Sequence, residues 1–275
     1  MRKLMFIPVG GLANRMRAVS SAVSLAQKTD SIIKIVWFQD WALHAPFNAL
    51  FYPINNQHIH LREATIIDHI LYDRPRKRNM NIPQFFQKIL FQSCLYEKAI
   101  TPLCKQQFDF KNWIQQENVY MASYSNFFDY SYELLRQLFR PLPIIQNRID
   151  YLCNQFSSYT FGVHIRRTDN LASIERSPIE LFLAAIDKEI DLHADASFYL
   201  ATDSESVKQQ LQNRYGKRLL FSTEKADRGS ITGIQGGIAE MYILARTQKI
   251  YGSFQSSFSE LAAQLGDIPL TIIKK

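Results

Sequence analysis

Hydrophobic positions open the chain as a continuous run over residues 3–9, Lys-Leu-Met-Phe-Ile-Pro-Val, the pattern of a strand buried on both faces. Gly10-Gly11-Leu-Ala-Asn14-Arg15-Met follows at once, and an Ala/Ser/Leu-rich stretch then carries a helix to about Lys28. A second apolar run, Ile32 to Phe38, completes a βαβ unit and so predicts a parallel sheet with a right-handed crossover. From Trp37 to Arg140 the pattern loosens into aromatic-rich segments broken by Pro46, Pro53, Pro75, Pro83 and Pro102, with one clear strand at Asn118 to Ala122.

The breaker Arg140-Pro-Leu-Pro143 interrupts a helical stretch that resumes over Ile144 to Phe156, and the boundary between two domains is placed near residue 142. Beyond it the alternation tightens. Strands are expected at Thr160 to Ile165, Ser197 to Thr202, Arg218 to Phe221, Lys249 to Gly252 and Leu270 to Ile273. Helices are expected at Pro178 to Ile190, Glu205 to Tyr215, Ile234 to Thr247 and Ser257 to Leu265. The expected fold class is α/β, as two Rossmann-like parallel-sheet domains, residues 1–142 and 143–275, facing a cleft. No repeat or low-complexity segment suggests a solenoid.

Composition narrows this little: 47% hydrophobic and 21% charged residues are ordinary for a globular chain of 275 residues. The net charge of +7 suits an anionic partner: nucleic acid, a membrane surface, a phosphorylated glycan or a nucleotide sugar. Arg74-Pro-Arg-Lys-Arg78 is the one dense basic run, read either as a solvated loop or as a contact to lipid headgroups or an acidic acceptor. Cys94, Cys104 and Cys153 form no CxxC pair, which argues against a disulfide framework or zinc site. The apolar run at the amino terminus is too short for a signal peptide, and no stretch approaches the roughly 18 residues needed to cross a bilayer. The expected location is the cytoplasm, either free or peripheral at the inner membrane face, with no nucleic-acid or protein partner indicated.

In open parallel sheets, ligands sit beyond the carboxyl ends of the strands. The polar clusters fall there: Arg166-Arg167-Thr168-Asp169 after the first strand of the second domain, Asp203 after the next, and Ser253-Phe-Gln-Ser256-Ser257 after Lys249 to Gly252. Two guanidiniums leaving a buried strand need anionic partners, and their planar forks match a diphosphate. The alternative is a structural ion pair with Asp169 or Asp203. Ser256 and Ser257 open a helix, whose amino terminus attracts anions. The turn containing Gly11 and Asn14 allows close backbone approach to a ligand, although the full GxGxxG spacing is absent. No Asp-x-Asp, HExxH or Walker A pattern indicates a metal.

Taken together, Gly162-Val-His164-Ile-Arg166-Arg167-Thr168-Asp169, Phe198-Tyr-Leu-Ala-Thr202-Asp203 and Gly252-Ser-Phe-Gln-Ser256-Ser257-Phe-Ser259 resemble the three successive motifs of the α-1,6/α-1,2 and protein-O fucosyltransferase superfamily. In the third, a glutamine is inserted. Val36-Trp-Phe-Gln-Asp40-Trp, with Pro46-Phe-Asn-Ala-Leu-Phe51, is similar to the amino-terminal domain of bacterial nodulation-type fucosyltransferases. The resemblance implies a GT-B-like fold, GDP-fucose as donor, a glycan or glycolipid acceptor, no metal or other cofactor, and inversion by direct displacement.

By position it also implies that Arg166 grips the β-phosphate, that His164 helps to hold the nucleoside, that Arg167 orients the site, that Glu240 faces guanine and that Ser256 and Ser257 bond phosphate. Asp203, in the second motif, is expected among the residues that bind the donor. Glu175 and Asp40 are alternative general bases for the acceptor hydroxyl. Trp37, Trp41, Tyr124, Phe127, Phe128 and Tyr130 are candidates for stacking sugar rings or for core. Two other readings remain: the same fold with GDP-mannose or a heptose nucleotide as donor, or a basic nucleic-acid- or membrane-surface-binding protein.

Overall fold

The computed structural model describes residues 2–168, 170–224, 227 and 229–275, and Asp169, named above as an ion-pair partner, lies outside them. The chain divides into two compact units, Met1–Arg140 and Pro141–Lys275. Each is built on a parallel five-stranded sheet.

In the first unit the strands are β1 (Lys3–Pro8), β2 (Ile32–Trp37), β3 (Ile59–Glu63), β4 (Ser93–Leu95) and β5 (Asn118–Ser123), in the order β3-β2-β1-β5-β4. The apolar run that opens the chain becomes the centre of the sheet. Phe6 of β1 pairs with Ile35 on one side and Met121 on the other, and all three are buried. Helix Leu12–Lys28 covers one face with Met16, Val19, Val23 and Leu25. β3 and β4 were not expected from the pattern. Both are short edge strands whose pairing with β2 and β5, rather than any apolar run of their own, makes them strands.

The second unit carries β6 (Thr160–Ile165), β7 (Ser197–Thr202), β8 (Leu219–Phe221), β9 (Ile250–Ser253) and β10 (Leu270–Ile273), in the order β10-β9-β6-β7-β8. Every residue of β6 is buried, and His164 lies in register between Ala201 of β7 and Gly252 of β9. The core beneath is formed by Val163, Ile165, Phe182, Ile186, Phe198 and Leu200. One element was not anticipated, the short helix Leu171–Arg176 directly after the arginine segment. The helix expected over Ile234 to Thr247 runs instead over Ile231–Leu244, capped by Ser230, whose side chain accepts from the Gly233 N–H.

Candidate functional site

Strand order locates the site within the second unit. The chain runs β6-β7-β8 outward in one direction and then returns to the opposite side of β6 with β9. The carboxyl ends of β6 and β9 therefore flank the point where the order reverses, the crevice in which parallel α/β sheets bind ligands. Arg166 leaves β6 there, and the Phe254 to Ser257 turn leaves β9 beside it.

The two strand ends are sewn together through side chains. Ser253 Oγ accepts from the Arg166 backbone N–H at 3.0 Å and donates to the His164 carbonyl at 3.2 Å. Gly252 permits this closeness: a Cβ built on it would lie 2.7 Å from Ser259 Cβ, so any larger residue would push helix Ser257–Gly266 off the sheet. The inserted Gln255 takes a left-handed conformation at φ +52, a cost a non-glycine bears when its surroundings hold it. Its carbonyl accepts from Asn170 Nδ2 at 3.2 Å, and Ser173 Oγ donates to the Phe254 carbonyl at 2.5 Å. Helix Leu171–Arg176 is thereby pinned to the β9 turn.

The arginine pair divides its work differently from the sequence expectation. Asp203 accepts from the Arg167 backbone N–H at 2.7 Å through Oδ1, and from Thr168 Oγ1 at 2.7 Å through Oδ2, with Arg166 Nε 3.3 Å from the same oxygen. It is thus Arg166, rather than Arg167, whose guanidinium pairs with Asp203. Both Asp203 oxygens are engaged by the turn, so this carboxylate organises the arginine segment. The Arg167 side chain donates to the carbonyls of Ser177 at 2.7 Å and of Arg166 at 3.1 Å. Through these two carbonyls it fixes the path of the loop. Burial lowers its basicity, and Asp203 and Glu180 oppose that shift.

His164 is only 5% exposed, its Nδ1 is 2.7 Å from Ser259 Oγ, and its ring stacks on Phe258 at a centroid distance of 4.8 Å. A ring so enclosed braces the start of helix Ser257–Gly266, which differs from the expected contact with a nucleoside. Burial, aided by the Arg166 charge, depresses its pKa to about 3, with Asp203 opposing. The unfolded chain therefore binds the extra proton between pH 6.5 and 3, and stability falls as pH falls through that window. Between pH 7 and pH 5 this group is expected to cost about 2 kcal/mol. Urea unfolding at the two pH values should show that loss in the parent chain and its absence from the pH dependence of His164→Asn.

Ser256, 5% exposed, is the residue before helix Ser257–Gly266, and its hydroxyl makes no capping bond. Its Oγ lies 3.4 Å from His164 Nδ1 instead. This ten-residue helix, with half-buried Ser257 at its first position, starts after β9, the strand paired with β6, which leads into Arg166. A helix start and a guanidinium at neighbouring strand ends each attract a phosphate oxyanion.

Glu240 lies on helix Ile231–Leu244, part-buried. Burial raises its pKa to about 8; Lys208 opposes, while Glu224, Asp203 and Glu205 add to the rise. At neutral pH it is chiefly protonated. Glu175 sits exposed on the pinned helix Leu171–Arg176.

In the first unit the reversal of strand order falls between β1 and β5, and the glycine turn follows β1. Gly10 takes the positive φ, +85, while Gly11, the residue expected to matter, has an ordinary extended backbone and caps helix Leu12–Lys28. Asn14 stands on its first turn beside Gly10.

Arg15 is fully buried. It donates through Nε to the Gly10 carbonyl at 2.7 Å, through a terminal nitrogen to the Phe38 carbonyl, and to Asp40 Oδ1 at 2.9 Å, with its guanidinium 5.1 Å above the Trp37 ring. Asp40 also accepts from the Ala42 N–H at 3.0 Å and has Arg74 at 3.8 Å. Proposed as a general base, Asp40 proves to be the counter-ion of a buried guanidinium. A signal was present: Arg15 shares the helix face of Ala18, Val19 and Ala22, all inward-facing.

Among the aromatic candidates, Trp37 and Phe127 are core, whereas Trp41 at 76% and Tyr124 at 40% are exposed at the carboxyl ends of β2 and β5. Among the described residues, no cluster of three or more His, Cys, Asp or Glu side chains is placed to hold a metal.

No family model matches the chain, and no curated protein matches it in sequence. Solved structures do match in three dimensions. The chain is similar to NodZ α-1,6-fucosyltransferase soaked with GDP-fucose, with TM-score 0.65 and 20% identity over 96% of this chain and 92% of that one. It is similar to a variant of Arabidopsis thaliana FUT1 in complex with GDP, with TM-score 0.66 and 13% identity over 98% and 70%. It is also similar to POFUT1 in complex with GDP-fucose, with TM-score 0.58 and 12% identity over 99% and 97%. The fold, two parallel α/β units, is therefore that of these proteins along nearly the whole chain.

Proposed function

We propose that the protein is a glycosyltransferase that moves fucose from GDP-fucose to a glycan acceptor with inversion and without a metal. The observation that carries this reading is the placing of Arg166 and of the start of helix Ser257–Gly266 at the ends of the neighbouring strands β6 and β9, at the strand-order reversal of a fold otherwise seen holding GDP and GDP-fucose.

In the reaction so assigned, the acceptor hydroxyl attacks the anomeric carbon, a new C–O bond forms, and the bond to the β-phosphate oxygen breaks with its electron pair leaving on GDP. Arg166 and the helix amides neutralise the charge that gathers on that phosphate, the electrostatic assistance that a divalent cation gives in other transferases. Ser256 and Ser257 stand at the same helix start as phosphate contacts. Glu175, exposed beside the arginine turn, takes the acceptor proton. In the first unit, Gly11 and Asn14 lie at the equivalent strand end, and Trp41 and Tyr124 offer faces against which sugar rings stack.

Glu240 supplies base selectivity. Guanine presents adjacent N1–H and N2–H donors that one carboxylate accepts together. Because Glu240 is protonated near neutral pH in the nucleotide-free protein, binding of GDP should expel its proton. The sign follows: affinity increases as pH rises toward about 8, by roughly tenfold per pH unit below that value. Calorimetry of GDP and UDP binding from pH 6 to 8 tests this. GDP should bind more tightly than UDP at every pH, and Glu240→Gln should both weaken GDP and flatten the difference. Preference for UDP, or no binding of either nucleotide, would remove the donor assignment.

A further inference from the structure

We propose that the segment 66–90 of the first unit is a docking surface for an anionic lipid bilayer. It consists of helix Ile66–Leu71, the turn carrying Lys77 and Arg78, and helix Ile82–Leu90, the two helices packing on each other. Among the described residues no helix is long and apolar enough to cross a membrane, so the surface lies on a bilayer rather than through it.

The carrying observation is an inverted helix. Ordinary amphipathic helices turn their apolar side to the core. In Ile82–Leu90 the inward residues are Pro83 and Gln87; the Gln87 amide is fully buried and donates to the Asp73 carbonyl at 2.8 Å. Phe85 and Ile89, one turn apart on the outer side, are 65% and 69% exposed. Ile66, Ile67 and Met80 are exposed to a similar or greater degree. Buried contacts from Gln87, and the Tyr120 hydroxyl donating to the Tyr72 carbonyl at 2.8 Å, fix this orientation, so the apolar face has no route inward.

Charge selects the occupant. Within 66–90 the acidic residues are Asp68 and Asp73. Both are buried, Asp68 in a two-bond pair with Arg62 and Asp73 with Arg76. Arg74, part of the basic run, is likewise turned inward toward Glu97 at 3.2 Å. What remains exposed among the charged groups is Lys77, Arg78 and Lys88. An apolar face whose own segment exposes only cations among its charged groups matches a bilayer with anionic headgroups, where side chains enter the acyl boundary and cations meet phosphates. A two-fold pairing with a second copy would set these cations against their own kind.

Sedimentation of the whole chain with vesicles of phosphatidylcholine containing about 30% phosphatidylglycerol, against phosphatidylcholine alone, is the test. The chain should pellet with the anionic vesicles only and be released by roughly 0.5 M salt. The double change Phe85→Ser with Ile89→Ser should abolish pelleting. Lys77→Ala with Arg78→Ala should weaken it by about fivefold per cation removed. All four positions are exposed, so both variants should keep the parent melting temperature, and that measurement separates lost docking from lost folding. Equal pelleting with neutral vesicles, no pelleting with either, or indifference to the Phe85/Ile89 change would overturn the proposal. So would analytical ultracentrifugation showing a dimer that the same change disperses.

Discussion

Replacing Arg166 with alanine is expected to lower the proposed fucosyl transfer by about 10²–10³-fold in kcat and to abolish the rise in melting temperature expected on adding GDP. The Arg166 guanidinium is held at the mouth of β6 by Asp203 at Nε, and its backbone by Ser253. Its position therefore does not depend on substrate arriving, which is the preorganisation that makes a donor effective toward developing charge. Arg166→Lys should not restore the rate, because an ammonium on a flexible stem cannot offer two parallel donors to a phosphate.

Asp203→Asn is the companion experiment. It should retain much of the turn through its remaining acceptor, yet lose the charge that orients Arg166, and so fall between the parent and Arg166→Ala. Transfer assays with GDP-fucose and an oligosaccharide acceptor, beside thermal shifts with GDP, read both effects. An Arg166→Ala enzyme with parental turnover would remove this side chain from the chemistry.

The second large effect is on stability. Asp40→Ala should destabilise the first unit by about 3–5 kcal/mol, because it leaves the fully buried Arg15 without its counter-charge. A shift of that size lowers a melting midpoint by roughly 10 °C. Burial already lowers the Arg15 pKa to about 10, with Asp40 the leading opposing influence. Removing both charges together, as Arg15→Met with Asp40→Ala, should restore part of the loss, since two uncharged side chains avoid the desolvation that one bare guanidinium bears. A general base would behave otherwise: Asp40→Ala would melt normally and fail only in turnover. Scanning calorimetry of the two variants, with GDP binding as a check on the second unit, distinguishes these behaviours.

The contrast between Asp40 and Arg166 shows how far a sequence carries. Both sit just past a buried strand, and both are charged, so the strand-end rule treats them alike. Asp40 is consumed by an arginine 25 positions earlier, on the far side of a βαβ crossover. Nothing local announces that pairing except the spacing of Arg15 with Ala18, Val19 and Ala22. Asp203 presents the same difficulty: a carboxylate at a strand end reads as a ligand contact until the turn from Arg166 to Thr168 folds onto it. His164 does as well, since an imidazole in a strand is either a ligand contact or a brace, and Ser259, 95 positions away, decides.

The sequence alone determined the alternation of elements, because a strand buried on both faces tends to a nearly continuous apolar run, as residues 4–8 are, and a helix must carry its 3.6-residue stripe. That alternation carried the α/β class and the strand ends at which charge gathers. Tertiary structure decided the rest. β3 and β4 are strands because β2 and β5 offer them hydrogen bonds, and edge strands need little apolar pattern of their own. Which guanidinium pairs with Asp203, and which face of helix Ile82–Leu90 turns outward, were settled by partners far along the chain: a charged or apolar side chain takes its role from what surrounds it after folding, and composition and spacing describe only what precedes and follows it.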